Sequence, residues 1–499
     1  MAVAMTPSNY YRPGDPIDWP AVRSALAGLS IDEAPEALER AGSDYHWYSP
    51  ILAERLKGCR PDLIVKPGSV DEVLQLAAVC ARHRVPLTVR GGGTGNYGQC
   101  VPLHGGIVMD ATGLDRLLRI ESGWARVEAG MLLHTLTLAA RETGQQLRMF
   151  PSTERIATVG GFIAGGHSGI GSMRHGILAD PGNVRRLRVI TLEDPPQLLD
   201  LIGTDIQKAH HAYGTNGILV EVDIALTGFV EWQHTITLFD SYDALLQFGL
   251  AVGAAAVAEP CEIDVFQLSA VERRITPYYA GLRDRLEDAD AMFAQVAPGS
   301  MAAYEALAGR MGGRVAVRGT EAELLAQGLP SATECAYNHT TLEALKSDRH
   351  VTYLQVAYPG PLLDHDLQMP AASSPEGSPG RLERPGAGLA ALVRRQMQRF
   401  GDEVLMHHEF SRAGGELVAF ALPLVQYFDE AQVRELIASF EADGCRIFDP
   451  HTFVIEDGGM KQVDEAQLAF KLRADPMGLM NPGKTRAWDE RMLGRRSAA

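Results

Sequence analysis

Cysteine is scarce in this chain, with 6 among 499 residues, and no two of them have the spacing of a Cys-x-x-Cys metal or redox motif. Long apolar runs are missing too, since nothing approaches the ~18 consecutive apolar residues of a membrane-spanning helix. The N-terminal residues also lack an apolar stretch of signal-peptide type. We therefore expect a reduced, cytoplasmic protein without a membrane span.

Positive charge is also in short supply. Lysine and arginine number 46 against 62 aspartates and glutamates, which gives a formal net charge of −16. A nucleic-acid partner or an anionic membrane surface would favour the opposite sign, so neither is expected. At 499 residues the chain is too long for one compact core, and its length predicts two domains.

Glycine, by contrast, is concentrated in residues 91–98, where three adjacent glycines are followed by a fourth after Thr94. A short apolar strand at residues 86–89 precedes them, and the helical spacing of apolar residues predicts a helix over residues 70–83 before that strand. A backbone without side chains can approach a ligand closely, and its successive amide groups can converge on a diphosphate. The segment therefore predicts a phosphate-binding loop.

The residues after this loop decide which kind of diphosphate ligand it suits. Residues 93–98 match the Gly-x-Gly-x-x-Gly dinucleotide fingerprint, but that fingerprint requires a helix to begin within it. Here the chain runs from Gly98 into another apolar strand at residues 106–110, which leaves no room for such a helix. This disfavours a nicotinamide-binding Rossmann turn, and the lack of a subsequent Gly-Lys-Ser/Thr excludes a P-loop.

A second glycine-rich segment occupies residues 151–171, about 60 residues further on and after strands at 106–110 and 125–129 and a helix at 132–143. Glycines of this kind can simply mark tight turns. Two such segments within one regular αβ pattern instead predict a long ligand that contacts both.

Four segments of the chain together resemble the vanillyl-alcohol oxidase / p-cresol methylhydroxylase flavoproteins, and they occur in that family's order: Arg90-Gly-Gly-Gly-Thr94-Gly, Ala157-Thr158-Val-Gly160-Gly161-Phe-Ile-Ala164, Tyr213-Gly-Thr-Asn-Gly217-Ile218, and Leu479-Met-Asn481-Pro-Gly-Lys484. The resemblance covers roughly residues 60–230 and 450–488. It implies an α+β fold, with a two-part FAD-binding domain of the p-cresol methylhydroxylase type and an antiparallel-sheet substrate (cap) domain.

The resemblance also implies which residues bind FAD. The first loop would hold the pyrophosphate, the second would pass the ribityl chain and the flavin, and the later segments would complete the site. The residues that match are Arg90, Gly91, Gly92, Gly93, Thr94, Gly95, Asn96, Pro151, Ser152, Thr158, Gly160, Gly161, Ala164, Gly165, His167, Ser168, Gly217, Ile218 and Asn481.

Thr94 sets this chain apart within the family. Members that attach FAD covalently through the first loop carry histidine at this position, and those with a second link carry cysteine just before the second loop, where residues 152–158 contain none. Threonine here is similar to the glycolate oxidase / D-lactate dehydrogenase branch. The resemblance therefore implies non-covalently bound FAD.

The expected domain boundaries come from this pattern. We expect an N-terminal arm with helices at residues 1–59, the FAD-binding domain at 60–228, the substrate domain at 229–450, and a return to the FAD domain at 451–499. An alternating strand near residues 231–238 and a helix near 242–258 begin the second domain. Residues 370–388, rich in proline, serine and glycine, predict a flexible loop, with a substrate lid as the functional alternative. A homodimer is common among family relatives.

Substrate chemistry should come from the second domain, because the flavin accepts the hydride and the protein supplies a proton acceptor. Histidine is the usual base near neutral pH, and three polar clusters at strand ends carry one. The candidates are His339 with Tyr337, His408 with Glu409, and His451. Backbone-satisfied structural roles compete for each of them. In a strand, His408 would face opposite to His407 and Glu409, so we favour His408 as the base, with Glu409 pairing behind it.

No metal is expected. The histidine-rich metal segments of the family's D-2-hydroxyacid members do not occur here, and His407 and His408 on opposite faces of a strand cannot easily bind one ion. We predict an FAD-dependent oxidase or dehydrogenase that removes hydride from a CH–OH or CH–NH carbon of a small organic substrate, such as a hydroxy acid or an aromatic alcohol. Oxygen or another acceptor would reoxidise the flavin. The alternative is a flavin-binding electron-transfer or assembly subunit without turnover of its own.

Overall fold

The computed structural model describes residues 10–166, 168–286, 288–360, 388–459 and 461–493. The chain divides into two compact units. The first consists of Met1–His167, Pro181–Phe229 and Pro450–Ala499, and the second of Ser168–Asp180 and Val230–Asp449. The loop predicted at residues 370–388 lies, except for Gly388, outside the described residues.

The described residues form α-helices with these bounds: α1 Trp19–Ala25, α2 Pro35–Ala41, α3 Pro50–Arg55, α4 Val70–His83, α5 Leu133–Glu142, α6 Val159–Gly165, α7 Ser172–His175, α8 Tyr242–Val257, α9 Arg283–Leu286, α10 Met301–Arg310, α11 Glu321–Ala326, α12 Asn338–Ser347, α13 Leu389–Phe400, α14 Glu430–Ala442, α15 Glu465–Ala474 and α16 Arg486–Leu493. The helices predicted over residues 70–83, 132–143 and 242–258 are confirmed as α4, α5 and α8.

The strands are β1 Ile31–Asp32, β2 Leu63–Val65, β3 Leu87–Arg90, β4 Ile107–Asp110, β5 Leu117–Glu121, β6 Trp124–Glu128, β7 Gln145–Leu147, β8 Val184–Ile190, β9 Leu198–Ile202, β10 Ile218–Gly228, β11 Gln233–Phe239, β12 Val265–Val271, β13 Asp290–Val296, β14 Arg314–Gly319, β15 Val351–Tyr353, β16 Val356–Ala357, β17 Val404–Leu405, β18 His407–Ala413, β19 Glu416–Ala421, β20 Leu424–Gln426 and β21 Arg446–Ile447.

The first unit contains two sheets. One is four-stranded in the order β1-β2-β4-β3, with β4 parallel to both β2 and β3. The other is six-stranded and antiparallel, in the order β5-β6-β10-β8-β9, with β7 also paired to β10. This two-sheet arrangement is the two-part domain that the sequence analysis predicts.

Helix α4 shows how the sequence specifies the first sheet. Ser69 caps its N-terminus by accepting a hydrogen bond from Glu72 N at 3.2 Å, and Arg84 ends it in the left-handed conformation with φ of 57°. Its apolar face, with Val73 and Leu76 fully buried, packs with β2, β3 and β4 in one hydrophobic core. A helix is the usual crossover between parallel strands of one sheet, and here α4 connects β2 to β3 with β4 between them.

The C-terminal segment completes this core. Leu479 and Met480 are fully buried in it, and their backbone runs along β3 through the hydrogen bonds Leu87 N to Leu479 O at 2.8 Å and Asn481 N to Leu87 O at 2.9 Å. The backbone groups of Leu87, at the start of the edge strand β3, are therefore satisfied by a segment almost 400 residues later in sequence.

The second unit is built on an eight-stranded antiparallel sheet in the order β14-β11-β13-β12-β18-β19-β16-β21, beside a three-stranded sheet β15-β20-β17. Helix α8 packs on this large sheet, where Gly249 and Gly253 leave room for Phe410 and Leu417. The predicted fold class, α+β with an antiparallel second domain, is confirmed.

Two local features differ from expectation. Residues 159–165, read as a loop in the sequence, form helix α6 in spite of two internal glycines. Residues 168–180 belong to the second unit rather than to the FAD-binding stretch, because Gly171 N donates to Phe266 O at 3.0 Å and α7 packs on β12 and β18.

Candidate functional site

The first glycine-rich loop, residues 91–98, leaves β3 and runs without a helix to β4, as predicted. Among the described residues, the backbone N–H groups of residues 92–96 have no hydrogen-bond acceptor. Residues 92–95 are only partly exposed, and Gly93 has a positive φ of 64°. A row of half-buried, unpaired amide donors is an arrangement that an anion stabilises.

The glycines of this loop are also required by packing within the protein. A Cβ atom at Gly91 would overlap the Thr158 hydroxyl oxygen, and one at Gly92 would overlap the Ile156 carbonyl oxygen. The two glycine-rich segments are thus in direct contact. Arg90 makes its own contacts, donating from Nη1 to Ser43 O at 2.6 Å and to Cys100 Sγ at 3.3 Å.

The second glycine-rich segment is organised around the start of α6. Thr158, 1% exposed, caps this helix by accepting a hydrogen bond from Gly161 N at 3.1 Å. Gly160 N donates to Ala129 O at 2.7 Å, and a Cβ atom at Gly160 would lie 2.7 Å from that of Ala129. Close approach of the helix to the residue after β6 is therefore what requires glycine here.

The remaining predicted FAD residues differ in their surroundings. Pro151 and Ser152 are partly exposed in the turn before α6, and Ala164 O accepts from Tyr213 N at 3.1 Å near the helix end, beside Gly165. His167 lies outside the described residues, and Ser168 falls in the second unit.

The later matched residues join the loop region to the C-terminal segment. Gly217, with φ of 97°, donates its N–H to Met480 Sδ at 3.3 Å, and Ile218 is fully buried at the start of β10. Asn481, 1% exposed, donates from Nδ2 to Gln99 O at 2.7 Å and to Tyr213 O at 2.6 Å. The contacts of Asn481 thus hold the base of the loop together, and both of its amide hydrogens are occupied.

Lys484 was not among the residues predicted to bind FAD, yet it contacts the first loop. Its side chain is fully buried, and Nζ donates to Gly98 O at 2.6 Å. Burial lowers the pKa of Lys484 to about 8, although Asp44 nearby opposes the shift. Its place in the Asn-Pro-Gly-Lys segment of the family pattern was the available signal.

In the second unit, β18 alternates as the sequence predicts. His408 points to one side, where Nδ1 is 2.8 Å from Tyr242 Oη and the ring lies 4.9 Å from that of Tyr358. The side chain is fully buried, and this burial, reinforced by His407, lowers the pKa of His408 to about 3. His408 is therefore a neutral imidazole enclosed by two tyrosines, with no surface for a substrate.

His407 and Glu409 share the opposite side of β18 and pair with each other, Nε2 to Oε1 at 2.9 Å. Glu409, 1% exposed, also accepts from Ser269 Oγ at 2.6 Å and from Tyr337 N at 2.7 Å. This carboxylate fixes Tyr337, which has a φ of 50° and donates from its hydroxyl to Gly169 O at 2.9 Å. These three hydrogen bonds, from His407, Ser269 and Tyr337, indicate a structural role for Glu409 in the interior of the second unit.

The other two histidines lie apart from this cluster. His339 is the second residue of α12, is partly exposed, and has its pKa lowered by burial. His451 belongs to the first unit, where it is fully buried and its Nδ1 lies 2.7 Å from Ser49 Oγ. Of the five predicted catalytic residues, only His339 and Tyr337 are partly exposed.

In the part of the chain that the structure describes, no three histidine, cysteine, aspartate or glutamate side chains are grouped as metal ligands. No helix within those residues is both long and apolar enough to cross a membrane.

Comparison with known proteins agrees with the geometry of the first unit. Residues 61–194 match a family described as an FAD binding domain. The chain is 28% identical over 197 residues to glycolate oxidase subunit GlcD of Bacillus subtilis (strain 168), covering 38% of this chain and 42% of that protein. It is 27% identical over 177 residues to D-lactate dehydrogenase of Anaerostipes hadrus, covering 33% and 36%. The match thus spans less than half of each relative.

The fold as a whole is similar to a solved structure of alkyldihydroxyacetonephosphate synthase, with a TM-score of 0.68, 14% identity and coverage of 96% of this chain and 87% of that one. At this identity the likeness concerns the fold alone. The family match shows an FAD-binding domain at residues 61–194, as the resemblance to the vanillyl-alcohol oxidase / p-cresol methylhydroxylase flavoproteins implies.

Proposed function

We propose that this chain, which carries an FAD-binding domain of the vanillyl-alcohol oxidase / p-cresol methylhydroxylase type, is an FAD-dependent oxidoreductase that oxidises the hydroxyl-bearing carbon of a small 2-hydroxy acid. The observation that carries this proposal is the row of unpaired, half-buried amides at residues 92–96 within a domain that matches an FAD-binding family. The relatives named for glycolate and D-lactate favour a hydroxy acid over an aromatic alcohol.

The residues present suit an FAD molecule held without a covalent bond. The unpaired amides of the first loop match the oxygens of a diphosphate, and Thr94 offers no nucleophilic imidazole to the cofactor. Thr158 and the start of α6 would fix the second loop against the first, since Gly91 and Gly92 leave no gap between them.

Bound FAD would supply the hydride acceptor, and the protein would supply the proton acceptor. We assign this role to His339 rather than to His408. Burial keeps the pKa of His339 below its usual value, so the imidazole is neutral near pH 7 and its ring can accept a hydroxyl proton. His408 is neutral as well, but it is enclosed and already bonded to Tyr242.

The experiment that tests the function uses purified protein loaded with FAD under anaerobic conditions. D-lactate, glycolate and D-2-hydroxyglutarate are added in turn, with an aromatic alcohol as the comparison, and the flavin absorbance is followed. Bleaching by a hydroxy acid supports the proposal. Protein that shows no flavin absorbance even after incubation with FAD would contradict it.

One alternative function is a flavin-binding subunit that transfers electrons or assists assembly without oxidising a substrate. This alternative is supported by the name of one relative, glycolate oxidase subunit GlcD, which describes a subunit of an enzyme. FAD that binds but stays oxidised with every donor, yet accepts electrons from a chemical reductant, would favour it.

A further inference from the structure

The side chain of Lys484 carries a charge into the interior of the first unit. It is fully buried, its ammonium group donates to Gly98 O at 2.6 Å, and its Nζ lies 5.0 Å from the centre of the Phe453 ring. Gly98 is the last residue of the first glycine-rich loop. The lysine therefore contacts the loop from within the protein.

No carboxylate in the described residues comes within ion-pair distance of this ammonium group. The carboxylate that acts on it electrostatically is Asp44, whose Oδ1 accepts from His46 N at 2.7 Å and from His46 Nδ1 at 2.9 Å, while its buried Oδ2 has no hydrogen-bond partner among the described residues. The thiols of Cys59 and Cys100 also face it, and burial raises the pKa of both. A buried cation without a paired anion is costly, and buried charges in proteins are normally paired.

An unpaired cation and an unpaired row of amides thus occur on the same loop. Residues 92–96 have donors without acceptors, and Lys484 bonds the carbonyl two residues later. Neither the amides nor the ammonium group has an anionic hydrogen-bond partner within the described residues, so both favour negative charge at the loop.

We propose that Lys484 is a positioning residue for the cofactor, whose buried ammonium group holds the loop through Gly98 and gives it the positive charge that a bound diphosphate neutralises. This inference rests on the proposed function, because it takes the anion to be the diphosphate of FAD. The same contact links cofactor binding to the docking of the C-terminal segment, which Asn481 and Leu479 also attach to β3 and the loop.

FAD binding should depend on pH if Lys484 has this role. Without cofactor, the pKa of Lys484 is about 8. An anion nearby raises the pKa of a lysine, so FAD binding takes up a proton wherever the free lysine is deprotonated. Affinity is thus highest below about pH 8 and falls as the pH rises through that value.

Two thiols that interact with Lys484 titrate outside this window. Burial raises the pKa values of Cys59 and Cys100 above their usual value. The Glu456 carboxylate is bonded to the backbone instead, since it accepts from the N–H groups of Arg486 and Ala487.

The test is a titration of apoprotein with FAD, followed by quenching of flavin fluorescence at several pH values from about 7 to about 9. For the wild type we expect FAD affinity to fall roughly tenfold over this range, since one proton is taken up per FAD bound. Lys484→Met should bind FAD weakly and without this dependence, whereas Lys484→Arg should bind tightly at every pH, because arginine keeps its charge.

The matched control is Lys461→Met. Lys461 is another lysine of the first unit and is only partly exposed, but it bonds Gln207 O and His210 O instead of the loop. This variant should retain the wild-type fall in FAD affinity above about pH 8.

A flat wild-type profile, or a Lys484→Met protein with the wild-type profile, would overturn the inference. The pH dependence of FAD affinity is measured on the wild-type protein, so the test still applies if Lys484→Met fails to fold. Wild-type protein that binds no FAD at any pH would instead contradict the proposed function.

Discussion

At Gly92 the two glycine-rich segments touch, and this contact gives a direct test of the site. Gly92→Ala places a methyl group against the Ile156 carbonyl oxygen, which must move. We expect a loss of about 1–3 kcal/mol in unfolding free energy, as for other overpacked sites. FAD affinity should fall at least about tenfold, because the displaced loop carries the unpaired amides.

Gly228→Ala is the control for this substitution. Gly228 ends β10 in the same unit, is exposed, and has open space where a Cβ atom would lie. Its replacement should change neither the urea unfolding midpoint nor FAD affinity. Wild-type FAD binding by Gly92→Ala would show that the loop tolerates separation of the two segments.

His339 and His408 can be told apart by separate substitutions. His339→Asn should slow anaerobic flavin reduction by about 10²–10⁴-fold and leave FAD affinity unchanged, because it removes a proton acceptor and not a cofactor contact. His408→Asn should instead lower stability by about 1 kcal/mol, since it loses the hydrogen bond to Tyr242.

His350→Asn serves as the control for both histidines, because the His350 side chain is 86% exposed and lies in the same unit. Stopped-flow reduction by the best hydroxy acid measures the rates. A folded His408→Asn protein with slow flavin reduction, beside a His339→Asn protein of normal rate, would return the role of base to His408.

Helix α6 contacts the first glycine-rich loop through its N-cap residue Thr158, which lies against Gly91. Thr158→Ala removes the hydroxyl that caps the helix, which should cost about 1 kcal/mol of unfolding free energy, whereas Thr158→Ser should retain the cap. Thr158 also packs against Gly91, so loss of the cap should weaken FAD binding as well as stability.

The comparison is Ser241→Ala, which removes the cap of α8 in the second unit, where Ser241 accepts from Ala244 N at 3.2 Å. It should lower stability by a similar amount without changing the FAD dissociation constant measured on folded protein. Equal FAD affinity in Thr158→Ala and the wild type would separate α6 from cofactor binding.

For the whole molecule, the expectation of non-covalent FAD predicts two linked results. Acid precipitation should leave the yellow colour in the supernatant. Adding FAD at about 100 times its dissociation constant should stabilise the protein by about 2.7 kcal/mol, which scanning calorimetry would record as a higher melting temperature.

If calorimetry resolves two transitions, the one that FAD raises should belong to the first unit, which contains both glycine-rich segments. A protein pellet that keeps its yellow colour after acid and urea would show a covalent bond and refute the inference drawn from Thr94.

Local sequence patterns were sufficient to predict the secondary-structure elements and the kind of ligand. The apolar spacing over residues 70–83 predicts α4 because an amphipathic helix needs only local information. The absence of a helix after Gly98, which distinguishes this loop from a Rossmann turn, is also visible locally. The residues between Gly98 and β4 are too few for a helix. The alternation in β18 likewise places His407 with Glu409 and His408 opposite.

The folded chain was needed to show which of the candidate residues are exposed and which atoms the glycines approach. Alternation predicts that residues lie on opposite faces but cannot tell whether a face is covered, and at His408 both faces of β18 are buried. The need for glycine at 91, 92 and 160 comes from Thr158, Ile156 and Ala129, which are distant in sequence. Lys484 reaches Gly98 across 386 residues, and burial of that charge depends on contacts that no local pattern encodes.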